Sequence, residues 1–208
     1  MVKPLRIISI DGTRGVGKSS QIAMLSKYFK SLGMSVSTLK MTSGEPIQSG
    51  LIALEFTKTF LEKSTDNLVI LEGSIARPMV GDIMTGMSNT ALLEKYKHLT
   101  HQYEVLFNSY GIANFLLVMD DISECNRRIK RFKDLTGHGN DPVENTSHEA
   151  DIVSGMRYFN NHIASKNITF QVLDVRPTNT MLEIHKTIMD KLSEKYEFKK
   201  VKKDENEW

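Results

Sequence analysis

Leu5-Arg6-Ile7-Ile8-Ser9-Ile10-Asp11-Gly12-Thr13-Arg14-Gly15-Val16-Gly17-Lys18-Ser19-Ser20-Gln21 is the stretch whose reading decides the fold. Leu5 to Ile10 is a short apolar run with no exposed face, as a central parallel strand requires. Gly12 to Ser19 then matches G-x-x-x-x-G-K-[ST], and a helix is expected from Lys18. In such a loop Gly12, Thr13, Arg14, Gly15, Val16 and Gly17 present successive backbone N–H groups to phosphate oxygens. The helix N-terminus adds a positive dipole. Lys18 is expected to bridge the β- and γ-phosphates, Ser19 to offer its hydroxyl to Mg²⁺, and Ser20 to continue the polar first turn. The expected ligand and cation are therefore ATP and Mg²⁺. Arg14 either stabilises charge on a transferring phosphoryl group or is a solvated arginine on a turn.

Working outward, Ile22, Leu25, Phe29 and Leu32 recur at helical spacing up to Gly33, which closes the first helix. A strand over 35–40, a helix over 47–63 and a buried strand over 68–71 follow. A long helix is predicted over 90–110, a strand over 114–119, and a helix opening at Ser123. The polar, glycine-bearing segment 134–147 has no periodicity and reads as a mobile loop. A helix over 151–165, a strand over 168–175 and a last helix over 181–196 complete the pattern. This is an α/β chain: a P-loop NTPase three-layer sandwich, with a five-stranded parallel sheet, helices on both faces and a small lid. Residues 1–198 form one domain, with the lid near 131–150 and a charged tail over 199–208. Ligands in such sheets sit at the carboxyl ends of the strands.

The 208 residues suffice to bury a core without metals or disulfides. With 27 basic and 25 acidic residues the net charge is +2, which gives no basic surface for nucleic acid. Cys125 is the single cysteine, in keeping with a reducing compartment. No apolar run reaches the ~18 residues of a membrane span, and the start reads as a strand, not a signal peptide. A cytoplasmic protein without membrane partners is expected.

Taken whole, the chain resembles the thymidylate-kinase-like P-loop nucleoside and nucleotide kinases. The resemblance rests on Ile10-Asp11-Gly12 with Gly17-Lys18-Ser19-Ser20-Gln21, on Leu117-Val118-Met119-Asp120 with Glu124, Arg128 and Arg131, on Arg157-Tyr158, and on Leu173-Asp174 with Arg176-Pro177. It implies that Arg131 belongs to a lid over ATP and that Val175 and Arg176 flank adenine. It also implies a small nucleotide or nucleoside acceptor and allows a homodimer. The chain departs from the family where the acceptor is gripped. Thr42-Ser43-Gly44-Glu45-Pro46 lacks the family's arginine, and Glu72-Gly73-Ser74 stands where thymidylate kinases carry an aspartate–arginine pair. Glu72-Gly73-Ser74-Ile75 also resembles the glutamate–arginine–serine motif of deoxynucleoside kinases, with the arginine lost.

Phosphoryl transfer needs cations around the phosphate oxygens. On the acceptor side the candidates are Arg77, expected in a loop begun by Gly73 and stopped by Pro78, with Lys40 and Glu45 after the second strand. Glu72 is either a base for a 5′-hydroxyl or a holder of Mg²⁺ through water. Asp120 is a further candidate for the Mg²⁺ environment, while Asp121 reads as a helix cap. In the basic cluster, residues 127, 130 and 131 share one helical face and 128 lies off it. Arg131, by the resemblance, and Arg127 on the same face are the ATP-side candidates, and Lys18, Glu72, Arg14 and Arg131 the catalytic ones. His138 has no partner at metal spacing. Three functions are open: a deoxynucleoside monophosphate kinase, a deoxynucleoside kinase using Glu72 as base, and a nucleotide-dependent switch without a small acceptor.

Overall fold

The computed structural model describes residues 3–41, 46–137, 146–164 and 168–198. Strand β1 (Leu5–Gly12) lies at the centre of a five-stranded sheet of order β2-β3-β1-β4-β5, with β2 (Ser35–Lys40), β3 (Asn67–Glu72), β4 (Gly111–Val118) and β5 (Gln171–Asp174). Every pairing is parallel, so all carboxyl ends lie along one rim. Gly12 must be glycine: its φ is 144°, and a Cβ there would meet the Leu117 carbonyl oxygen at 2.1 Å.

Two cores flank the sheet. On one face α1 (Lys18–Ser31) and α8 (Met181–Ser193) cover Ile8, Ile10, Leu68 and Ile70. On the other, α2 (Pro46–Leu61), α3 (Ala76–Met84), α4 (Asn89–Lys95), α5 (Lys97–Ser109) and α7 (Thr146–Tyr158) cover Ile7, Val69 and Leu71. Alternation along the strands sends neighbouring residues to opposite faces. That places Glu72, in register with Ile10 and Lys40, on the α1 side, and Asp11 on the other.

Several elements differ from the periodicity reading. The expected long helix is broken at Tyr96, whose ring is buried and whose hydroxyl donates to Asp82 Oδ2 at 2.9 Å, beside Lys95 Nζ at 2.6 Å. Arg77 and Pro78 are not in a loop but in the first turn of α3, where proline is tolerated because those amides lack intrahelical partners. Helix α6 (Ile122–Thr136) runs past the expected loop start at residue 134 and ends on Gly137, φ 80°. The rest of that loop, 138–145 with His138, lies outside the described residues, as do Glu45 and the tail 199–208. Helix α7 begins at Thr146 and gives way to a π-helical turn, Phe159–Ile163. Strand β5 is shorter than expected, pairing only Gln171–Asp174 with Phe115–Val118 of β4.

Candidate functional site

The phosphate loop hangs from the carboxyl end of β1. Gly15 (φ 78°) packs against α6, where a Cβ would meet the Cys125 carbonyl at 2.5 Å. Thr13 and Val16 are fully buried beneath the loop, while Arg14, Ser19 and Ser20 are exposed. Lys18 Nζ arches back over the loop, donating to the carbonyls of Gly12 at 2.9 Å and Thr13 at 2.8 Å. Gly17 (φ 105°) sits under Met181 of α8.

Around the loop, Ser19 Oγ donates to Glu72 Oε1 at 2.9 Å. Lys40 is exposed beside Glu72, in register on the edge strand. Arg77 reaches back from α3, donating from Nη2 to the Gly12 carbonyl at 2.9 Å. Lys18, Ser19, Glu72 and Arg77 thus meet around one loop, with Lys40 beside Glu72.

These residues fit Mg²⁺. Ser19 and Glu72 are hard oxygen donors already in contact. Among the described residues no group of three or more His, Cys, Asp or Glu forms a cage. That suits a cation held by one or two side chains plus phosphates and waters. Asp120 does not join them: its carboxylate, 73% exposed, faces Arg157 Nη2 at 3.3 Å. Arg157 also donates to Asp174 at 2.8 Å, so α7 is tied to the ends of β4 and β5. Asp121 is the cap of α6, accepting from the Glu124 amide at 3.0 Å.

The basic helix shows the two faces its spacing predicts, with Arg127, Lys130 and Arg131 exposed and Arg128 turned away from them. Arg127 is 65% exposed and forks onto Glu124 at 2.6 and 2.9 Å. Arg131 is exposed one turn further on. Arg128, the member the helical wheel set aside, is the one turned inward. It is 18% exposed, bonds Glu124 at 2.8 Å and the Pro177 carbonyl at 3.1 Å, and keeps a buried Nη1 with no hydrogen-bond partner among the described residues. The two arginines, Arg127 first, hold the Glu124 carboxyl far below the usual range, at about 2. Pro177 follows Val175, which is buried, and Arg176, which is exposed. Asp11, buried with Ser74 donating to its Oδ2, and Arg128, bonded to the Pro177 carbonyl, stand beside these residues without being among the expected site residues. Each contact joins segments far apart in the chain, for which spacing carries no signal.

A central strand, a glycine loop and a helix N-terminus in a β2-β3-β1-β4-β5 parallel sheet with helices on both faces make up an α/β P-loop fold. No family model matches the sequence, and no curated protein does. Among solved structures, the chain is similar to deoxyadenosine kinase from M. mycoides with bound dATP. That pair shares 15% identity over 90% of this chain and 99% of that one, with a TM-score of 0.50. It is also similar to thymidylate kinase from Candida albicans, at 16% identity, 93% of each chain and a TM-score of 0.53. At these identities the likeness is one of fold.

Proposed function

We propose that the protein transfers the γ-phosphoryl group of Mg²⁺–ATP to a small acceptor, a deoxynucleoside monophosphate such as dTMP. The observation that carries this reading is the meeting of Lys18, Ser19, Glu72 and Arg77 around the loop after β1. Lys18 leaves the Gly12 and Thr13 carbonyls for phosphate oxygens. The loop amides hold the β-phosphate. Ser19 and Glu72 would hold Mg²⁺, which would supply neutralisation of the phosphate charge. An acceptor oxygen attacks the γ-phosphorus in line, the bond to the ADP oxygen breaks, and its electron pair leaves on ADP. A monophosphate acceptor is already ionised near pH 7 and needs no base. The Ser19–Glu72 contact favours this reading, because it turns the carboxylate toward the metal-binding hydroxyl. Were the acceptor a nucleoside 5′-hydroxyl, the same carboxylate would have to serve as base.

On the donor side Arg128, with Arg176 and Val175 nearby in the chain after β5, is our candidate edge of the adenine site, and Arg127, Arg131 and Arg14 supply further charge. The lid near 131–150 is part of this proposal. We further propose that the protein is cytoplasmic and homodimeric. Among the described residues no helix is long and apolar enough to cross a membrane. The test of function is a panel of nucleosides and nucleoside monophosphates with Mg²⁺–ATP, following ADP release. ADP release stimulated by no member of the panel contradicts the reading.

A further inference from the structure

Asp11 is a carboxylate with no exposed surface, at the last position before the phosphate loop. Burying it is costly unless it is paired and hydrogen-bonded. It is both. Oδ1 accepts the Gly12 amide at 2.7 Å, Oδ2 accepts the Ser74 hydroxyl at 2.5 Å, and Arg77 Nε stands 3.7 Å from Oδ1. Ser74 Oγ also accepts the Ala76 amide at 3.1 Å, so the same hydroxyl links Asp11 to the first residue of α3, next to Arg77.

The consequence falls on Gly12. Its carbonyl accepts from Lys18 Nζ and from Arg77 Nη2, each at 2.9 Å. Two cations from different elements therefore stand within two hydrogen-bond lengths of each other, and only Lys18 belongs to the loop motif. Arg77 is 37% exposed. One of its five N–H groups is on Gly12, so the guanidinium has further donors to offer at the loop. A side chain serving only the acceptor would have no reason to hold the first residue of the donor cradle.

We propose that Arg77 is a catalytic cation for the transferring phosphoryl group, and that Asp11 is the positioning residue that holds it beside Lys18. This rests on the phosphotransfer reading above. As the bond from γ-phosphorus to ADP breaks and the acceptor oxygen bonds phosphorus, charge spreads over the γ-oxygens. A guanidinium already fixed there stabilises that charge without reorganising.

The test is calorimetric binding of two probes, Mg²⁺–ADP and Mg²⁺–ADP–fluoroaluminate, to wild type, Arg77→Ala, Arg77→Lys and Asp11→Asn. Arg77→Ala is expected to weaken the fluoroaluminate complex roughly 10²-fold and leave Mg²⁺–ADP nearly unchanged, since the cation acts on transition-state charge. Arg77→Lys recovers only part of the loss, because the fork geometry is gone. Asp11→Asn loses less, in the same direction. Should Asp11→Asn fail to fold, the two Arg77 variants carry the test alone. Equal weakening of both probes, or of neither, by Arg77→Ala overturns the inference and leaves the proposed function standing. Wild type that binds neither probe overturns both.

Discussion

Ser19 Oγ donates to Glu72 Oε1 at 2.9 Å, joining the first turn of α1 to the end of β3. The bond follows from strand alternation, which sends Glu72 to the α1 face together with Ile10 and Lys40. On the proposed reading this contact puts Glu72 on the metal side. Glu72→Gln is expected to lower kcat by roughly 10²-fold with little change in the KM for ATP, as for a group acting mainly in the transition state. Raising Mg²⁺ should restore part of the rate. A loss that Mg²⁺ cannot touch, paired with a nucleoside as the active acceptor, would return Glu72 to the role of base.

Lys18→Ala removes the charge that arches over the loop but no core contact, since Lys18 is only partly buried. Turnover should fall to background, while the melting temperature stays within about 2 °C of wild type, as for a surface substitution. Near-normal ADP release from a folded Lys18→Ala protein would remove the kinase reading.

What the sequence made legible divides along physical lines. The loop from Gly12 to Ser19, the strand–helix alternation and the rim position of Glu72 depend on local pattern, and they stand where the pattern put them. The break at Tyr96 depends on Asp82, fourteen positions away, so a periodic stretch concealed it. Helix α3 was hidden by Pro78, read as a stop although a first-turn proline costs the helix no hydrogen bond. Arg128 was set aside because a helical wheel knows nothing of the Pro177 carbonyl. Distance in sequence hid the roles of Tyr96 and Arg128, whereas Pro78 is a local signal that fits both a stop and a first helical turn.

Arg6 tests the frame that holds the rim in place. It is 6% exposed and donates to the Leu61, Ser64 and Asn67 carbonyls, closing the end of α2 onto β1 and β3, with burial drawing its pKa down. Arg6→Ala leaves several carbonyls without that donor and should cost roughly 3 kcal/mol in denaturant unfolding. A loss within experimental error would mean that water replaces the guanidinium fully.

Glu124 supplies a pH signature. Its folded pKa of about 2 lies below the ordinary 4.5, held down by Arg127 and then Arg128. The stability it contributes is present above 4.5 and is lost as the pH falls from there toward 2. The gap in melting temperature between wild type and Glu124→Gln should therefore be widest above pH 4.5 and close on acidification. A gap independent of pH over that window would show that the ion pairs with Arg127 and Arg128 do not set the carboxyl's pKa.

The central claim is that the loop from Gly12 to Ser19 serves transfer and not mere binding. It is tested most directly by following ADP release from Mg²⁺–ATP with each nucleoside and nucleoside monophosphate in turn. The account predicts that a deoxynucleoside monophosphate stimulates release stoichiometrically with formation of its diphosphate, and that Lys18→Ala abolishes it. Tight ATP binding with no acceptor-dependent release, from any nucleoside or monophosphate, would contradict it.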